Sequence, residues 1–187
     1  MTKITLQEIV GKKVIIIGEV GSGKTRLTAE LLEEMTKRFD PQDITVIEMA
    51  PSNIPKIGGT LSEYTSVVTK VKYLYPQGIR APRLEGASKE EVLSLAHANR
   101  WAIEPFIDKF ILKPSSFLVM NDLSIYLQAG KISKIMTCMK KAGTFVSNAY
   151  YGSRLSNDKG SGISLKERKL VDVLIGKSEI IIRLTNK

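Results

Sequence analysis

The run Gly18-Glu19-Val20-Gly21-Ser22-Gly23-Lys24-Thr25 has the spacing G-x-x-x-x-G-K-[ST], which suits a polyphosphate. Glycines at 18, 21 and 23 let successive main-chain N–H groups turn inward around phosphate oxygens. Lys24 has the reach for the β and γ phosphates, and the Thr25 hydroxyl suits Mg2+. The expected nucleotide contacts are therefore Gly18, Glu19, Val20, Gly21, Ser22, Gly23, Lys24, Thr25 and Arg26, with ATP and Mg2+ as ligands. A second carboxylate position follows the apolar run Phe117 to Met120: Asp122 would hold the Mg2+ water shell opposite Thr25. Its competing use is as N-cap of the next helix, which Asn121 or Ser124 could equally serve. Leu123 comes next, so no Asp-Glu pair stands here and a general base must come from elsewhere. Glu48, closing "DITVIEM", is the expected base, placed beside the phosphate-loop strand and orienting a water. The plainer use of a strand-end Glu is to face solvent or pair with a lysine.

These groups need a frame. Val14 to Ile17 is an apolar, β-branched run suited to a buried strand, and Leu27, Leu31, Leu32 and Met35 recur at helical spacing after the loop. That helix would aim its positive N-terminal end at the phosphates. Along the chain the pattern predicts strands at 13–17, 44–48, 71–75, 116–121, 143–149 and 179–184. Helices are predicted at 24–38, 88–111, 124–141 and 164–175. Alternation of this kind implies an α/β fold of three layers, a mostly parallel sheet with helices on both faces. Right-handed crossovers would line the strand C-terminal ends along one edge.

At 187 residues the chain reads as a single nucleotide-binding domain spanning 1–187. No apolar run reaches the ~20 residues of a membrane span, and the first residues lack a signal-peptide core. The lone cysteine, Cys138, excludes an internal disulfide and fits the cytoplasm; its apolar helical position predicts packing rather than catalysis. Net charge is +9, unevenly spread: residues 1–115 hold 16 Lys/Arg against 14 Asp/Glu, residues 116–187 hold 12 against 5. A basic C-terminal part suggests nucleic acid or another polyanion, against the bland alternative of a solvated lysine-rich surface.

The order of phosphate loop, helix, Glu-ended strand, strand, helix, Asp-ended strand, helix and polar-ended strand resembles the RecA-like branch of P-loop NTPases. The resemblance covers most of the chain, with only the phosphate loop specific by sequence. It implies that Asn148, ending "GTFVSN", senses the γ-phosphate. It also implies that the following loop, "YYGSRLSNDKGSG" with Arg154, Tyr150 and Tyr151, contacts DNA as in recombinases of that branch. The chain departs from them in being short, with no evident oligomerisation segment or second DNA-binding domain. Size and the closing strand also resemble corrinoid adenosyltransferases, whose loop variant GEVGSGKT does not match. Nucleotide kinases would show an arginine-rich lid, and GTPases an N-K-x-D motif; neither is present.

Two loops leave strand ends towards the same edge. Residues 49–66 have the Pro, Gly and Ser content of a lid or substrate loop. "YPQGIRAPRLEGAS" offers Arg80 and Arg83, either for phosphate in cis, for a neighbouring subunit's nucleotide, or simply for the surface. His97 lacks the companions of a zinc site, and Trp101 reads as core or helix packing. The expected function is a Mg2+-dependent ATPase, slow alone, coupled to a nucleic acid or protein partner or to a homo-oligomer. The alternatives are an ATP-dependent small-molecule transferase or kinase, and a nucleotide-gated interaction module without turnover.

Overall fold

In the computed structural model, residues 4–52 and 59–185 are described, so residues 53–58 of the 49–66 loop lie outside the described part. Six strands form one parallel sheet: β1 (Lys13–Gly18), β2 (Ile44–Glu48), β3 (Lys72–Leu74), β4 (Phe117–Asn121), β5 (Thr144–Tyr150) and β6 (Ile180–Leu184). Their spatial order is β3-β2-β4-β5-β1-β6. Because every strand runs the same way, Gly18, Glu48, Asn121 and Tyr150 all end at one edge of the sheet.

The helices are α1 (Leu6–Ile9), α2 (Lys24–Arg38), α3 (Pro82–Glu85), α4 (Lys89–Leu112), α5 (Leu123–Leu127), α6 (Ile132–Lys141) and α7 (Ile163–Ile175). Period-two alternation sorts the strands between two cores. Val14 and Ile16 of β1 face α1 and α2, meeting Leu6, Leu32 and Met35. Ile15 and Ile17 face the opposite layer, where α4, α6 and α7 contribute Ile107, Ile135 and Val171. Each fully buried aliphatic side chain stabilises this arrangement by about 1.5–3 kcal/mol. Cys138 belongs to the second core, where burial pushes its thiol up to about 12, so it packs as an inert hydrophobe.

Three expectations need correction. Glu48 does not sit beside the phosphate-loop strand: β4 and β5 lie between β2 and β1. The expected helix 124–141 is two helices, because a side chain at Gly130 would lie 2.5 Å from the Tyr126 ring and the backbone turns away after α5. Trp101 is 68% exposed, near the His97 ring, rather than in the core. The inward stripe of α4 is Val92, Ala96, Asn99, Ile103, Ile107 and Phe110, and position 101 falls outside it.

Candidate functional site: a phosphate cradle at the sheet edge

The loop between β1 and α2 is shaped as a cradle. Gly23 sits at φ 90°, in the left-handed region, and starts α2 directly at Lys24. Any Cβ on Gly18 would collide with the Leu184 carbonyl oxygen and meet Ser22 Oγ at 2.7 Å, so the turn closes only on glycine. Lys24 Nζ donates to the carbonyl oxygens of Gly18 (2.9 Å) and Glu19 (2.7 Å). Burial holds this ammonium below its ordinary range, against the upward pull of Asp122 and Glu19. Ser22 Oγ is buried without a partner among the described residues, the condition of a group shaped for a ligand.

Asp122 follows β4 in a left-handed conformation, φ 51°, which Asp tolerates better than bulkier residues. It occupies the N-cap position of α5, yet its side chain makes no capping bond to the main chain. Burial raises its carboxyl, while Lys24 and then Arg83 pull it down. The carboxylate therefore lies within electrostatic reach of the cradle lysine, and Thr25 is buried beside that lysine. One hydroxyl and one carboxylate make a donor set that suits Mg2+, which takes one or two protein oxygens and fills its remaining positions with phosphate and water. Among the described residues no cluster of three or more His, Cys, Asp or Glu offers an all-protein metal cage.

A chain of side-chain amides ties the strand ends together. Asn148 Nδ2 donates to Thr28 Oγ1 (2.9 Å) and Asn121 Oδ1 (2.6 Å), and Asn148 Oδ1 accepts from the Asp122 N–H (2.9 Å). Thr28 Oγ1 in turn donates to the Lys24 carbonyl. Asn121 Nδ2 donates to Glu48 Oε1 (2.6 Å) and the Gly59 carbonyl (3.1 Å). Glu48, wholly buried, also accepts from the N–H groups of Ala50 and Leu61 and from Tyr73 OH. Both its oxygens are thus saturated. Burial pushes its carboxyl up to about 7, with these donors acting the other way. The network runs from α2 across β5 and β4 to β2, and it positions Asp122 through its main chain.

Arg83 and Arg80 part company. The Arg83 guanidinium is buried, bonds both oxygens of the buried Glu167 (3.1–3.3 Å) and lies 5.1 Å from the Tyr150 ring centre. Gln128 Nε2 also donates to Glu167 (2.9 Å), and burial pushes the Glu167 carboxyl up to about 7. Arg80 instead sits exposed, paired with Glu85. The loop after β5 is held to the cradle: the Glu19 carboxylate accepts the N–H groups of Val20 (2.8 Å), Ser153 (2.8 Å) and Arg154 (3.2 Å). Burial would raise Glu19, but those main-chain donors bring it below its ordinary range. The Arg154 side chain is exposed. Tyr151 lies under the guanidiniums of Arg168 and Arg183, at 3.4 and 5.4 Å from its centre, so Arg groups already cover its ring.

The structure therefore gathers Glu19, Lys24, Thr25, Asp122, Asn148 and Arg83 around the ends of β1, β5 and β4, and leaves Arg80 apart. Sequence reasoning missed Thr28, Gln128 and Glu167. For Glu167 a signal existed: it stands on the inward stripe Ile163, Glu167, Val171, Leu174 of α7, where a charge demands a buried partner.

Sheet order and cradle together define a three-layer α/β fold of the RecA-like P-loop NTPase type, with one strand between the P-loop strand and the Asp122 strand. Among solved structures, flagellar accessory protein FlaH from Methanocaldococcus jannaschii shares this fold at 13% identity, with TM-score 0.50 over 98% of this chain and 77% of that one. Looser similarity extends to Pif1 helicase from Candida albicans (12% identity, TM-score 0.40, 97% of this chain and 38% of that one). The Pyrococcus furiosus Hef helicase domain gives 12% identity and TM-score 0.46, over 96% of this chain and 36% of that one. The chain thus spans little more than a third of each helicase structure. No family model matches the chain, and neither does any curated protein. No helix among the described residues is long and apolar enough to cross a membrane.

Proposed function

We propose that this protein binds ATP with Mg2+ in the 18–25 cradle and hydrolyses it slowly until a nucleic acid or protein partner engages the loops at 49–66 and 150–163. The observation that carries this reading is the Lys24 ammonium held at the head of α2 with the Asp122 carboxylate in electrostatic reach. In this reading residues 18–26 bind the phosphates, Lys24 neutralises their charge, and Thr25 with Asp122 would hold Mg2+. The ion would supply Lewis-acid polarisation of the phosphoryl oxygens. Arg83, within electrostatic reach of Asp122, would add positive charge on that side of the cradle, while the basic C-terminal part with Arg154 would carry the polyanion contact.

Slowness in isolation is supported by the state of Glu48 and Asn148. To orient a water, Glu48 must give up one of its four donors, of which Tyr73 OH at 3.1 Å is the longest. Asn148 has every polar atom engaged, so it would sense a phosphate through the Asp122 main chain. The same saturation favours, as the second reading, a nucleotide-gated module that does not turn over.

The test is phosphate release from Mg·ATP at low salt, with and without single- and double-stranded DNA and RNA, alongside ATP binding by Lys24→Ala. ATP binding lost in Lys24→Ala and turnover raised by nucleic acid support the first reading. ATP bound with no turnover under any condition selects the second. Wild-type binding or turnover in Lys24→Ala overturns both.

A further inference from the structure

Helix α4 carries a second stripe, turned away from the core. Ser94, Ala98, Trp101, Pro105 and Leu112 follow one another at spacings of four, three, four and seven residues, so they line one side of the helix. All five are exposed, Trp101 at 68% and Leu112 at 85%. α4 packs against α3, α5, α6 and β2, and none of these covers the stripe. Single exposed apolar residues are ordinary, but a row of small and apolar side chains centred on a bare indole is the composition of a contact surface.

Charge brackets the row. Glu90 and Glu91 stand exposed in the first turn of α4, and Lys109 and Lys113 stand exposed at its end. Glu91 is partly engaged, accepting from the Ala87 N–H (2.8 Å). Glu90, Lys109 and Lys113 make no ion pair among the described residues. The point halfway between Glu90 and Lys113 falls between Trp101 and Ala102, and the point halfway between Glu91 and Lys109 falls at Arg100. The pattern acidic, apolar, basic is therefore complementary to itself when reversed, with Trp101 at its centre. A polyanion fits worse, because it would meet Glu90 and Glu91 on the same helix.

We propose that α4 docks antiparallel on α4 of a second copy of this chain, about a two-fold axis beside Trp101. That arrangement is isologous: the acidic start of each helix meets the basic end of the other, Glu90 against Lys113 on both sides of the axis. The two helix dipoles then oppose each other, which adds to the attraction. Small side chains at Ser94 and Ala98 let the helices approach, and each Trp101 packs against Ala98 and Pro105 of the other copy. Indole is the side chain that most often anchors such a contact. The interface is one helix wide, so the dimer is weak and its population follows concentration. The proposal does not rest on nucleotide binding.

Trp101 is the only tryptophan in the chain, so its fluorescence reports on this surface alone. The test is sedimentation equilibrium from ~1 to ~500 µM near physiological salt, with acrylamide quenching of Trp101 read at both ends of that range. Expected are a monomer–dimer equilibrium, and at high concentration a blue-shifted emission with weaker quenching. Trp101→Ala should weaken the dimer by at least ~30-fold, with the urea midpoint of the monomer unchanged because the side chain is exposed. Lys113→Glu sets Glu against Glu twice and should weaken it by at least ~5-fold, and Glu90→Lys/Lys113→Glu should restore it to within about 2-fold. A monomer throughout overturns the proposal, as does a dimer in which acrylamide reaches Trp101 equally at both concentrations. A dimer indifferent to Trp101→Ala or to Lys113→Glu also overturns it, since another surface then makes the contact.

Discussion

Asn148→Ala isolates the amide network from any chemistry at the cradle. Asn148 is 2% exposed and its carboxamide makes three bonds, at 2.6, 2.9 and 2.9 Å. Truncation leaves the Asp122 N–H and Asn121 Oδ1 without these partners, while Thr28 keeps its own donation to the Lys24 carbonyl. Two orphaned buried groups at about 1–3 kcal/mol each give a loss of about 2–6 kcal/mol. With a urea slope of about 2 kcal/mol per molar for a chain of this size, the unfolding midpoint should fall by about 1–3 M. Thr28→Val orphans fewer groups and should cost less, about 1–3 kcal/mol. Because both variants break the same Thr28–Asn148 bond, the double variant should cost less than the sum by about 1 kcal/mol or more. The assay is urea unfolding followed by circular dichroism on the four proteins of that cycle. A midpoint shift below about 0.3 M for Asn148→Ala would refute the argument, since this slope makes it well under the loss of one buried bond.

Other outcomes follow from the same geometry. Arg83→Met should destabilise by about 3–5 kcal/mol by stranding Glu167, whereas Arg80→Met, at an exposed pair, should cost under about 1 kcal/mol; equal losses in thermal unfolding would contradict the assignment. Glu48 and Glu167 are both pushed up to about 7, against an ordinary value of 4.5. Between these pH values the folded chain keeps protons that the unfolded chain has released, so stability should fall as pH rises through that window. Each group contributes on the order of 3 kcal/mol by full ionisation. A urea midpoint that is flat or rising from about pH 5 to 7.5 would remove this account.

Most of the frame was legible because each strand is an apolar run with few competitors: the ends of α2 and β2 coincide with the predicted 24–38 and 44–48. Strand order was harder to read, since chain order does not say that β5 inserts between β1 and β4. That is why Glu48 was expected next to the P-loop strand. Neither could periodicity separate Arg83 from Arg80. What buries one and exposes the other is Glu167, more than eighty residues away in the chain. Pro105 would ordinarily end a helix, yet α4 runs through it because Ile103, Ile107 and Phe110 anchor both sides in the core. Gly130 acted the other way, its local signal outweighing the amphipathic pattern of 124–141.

In the function proposed above, the two carbonyls that hold the Lys24 ammonium would make phosphate binding an exchange reaction rather than a simple addition. An arriving phosphate must outcompete the Gly18 and Glu19 oxygens, which are neutral, already aligned and tethered within six residues of the lysine. A singly charged or poorly placed anion gains little from that swap; a polyphosphate, with several oxygens and more charge, gains much. The cradle would thereby discriminate by charge density before any contact to a base or sugar is made.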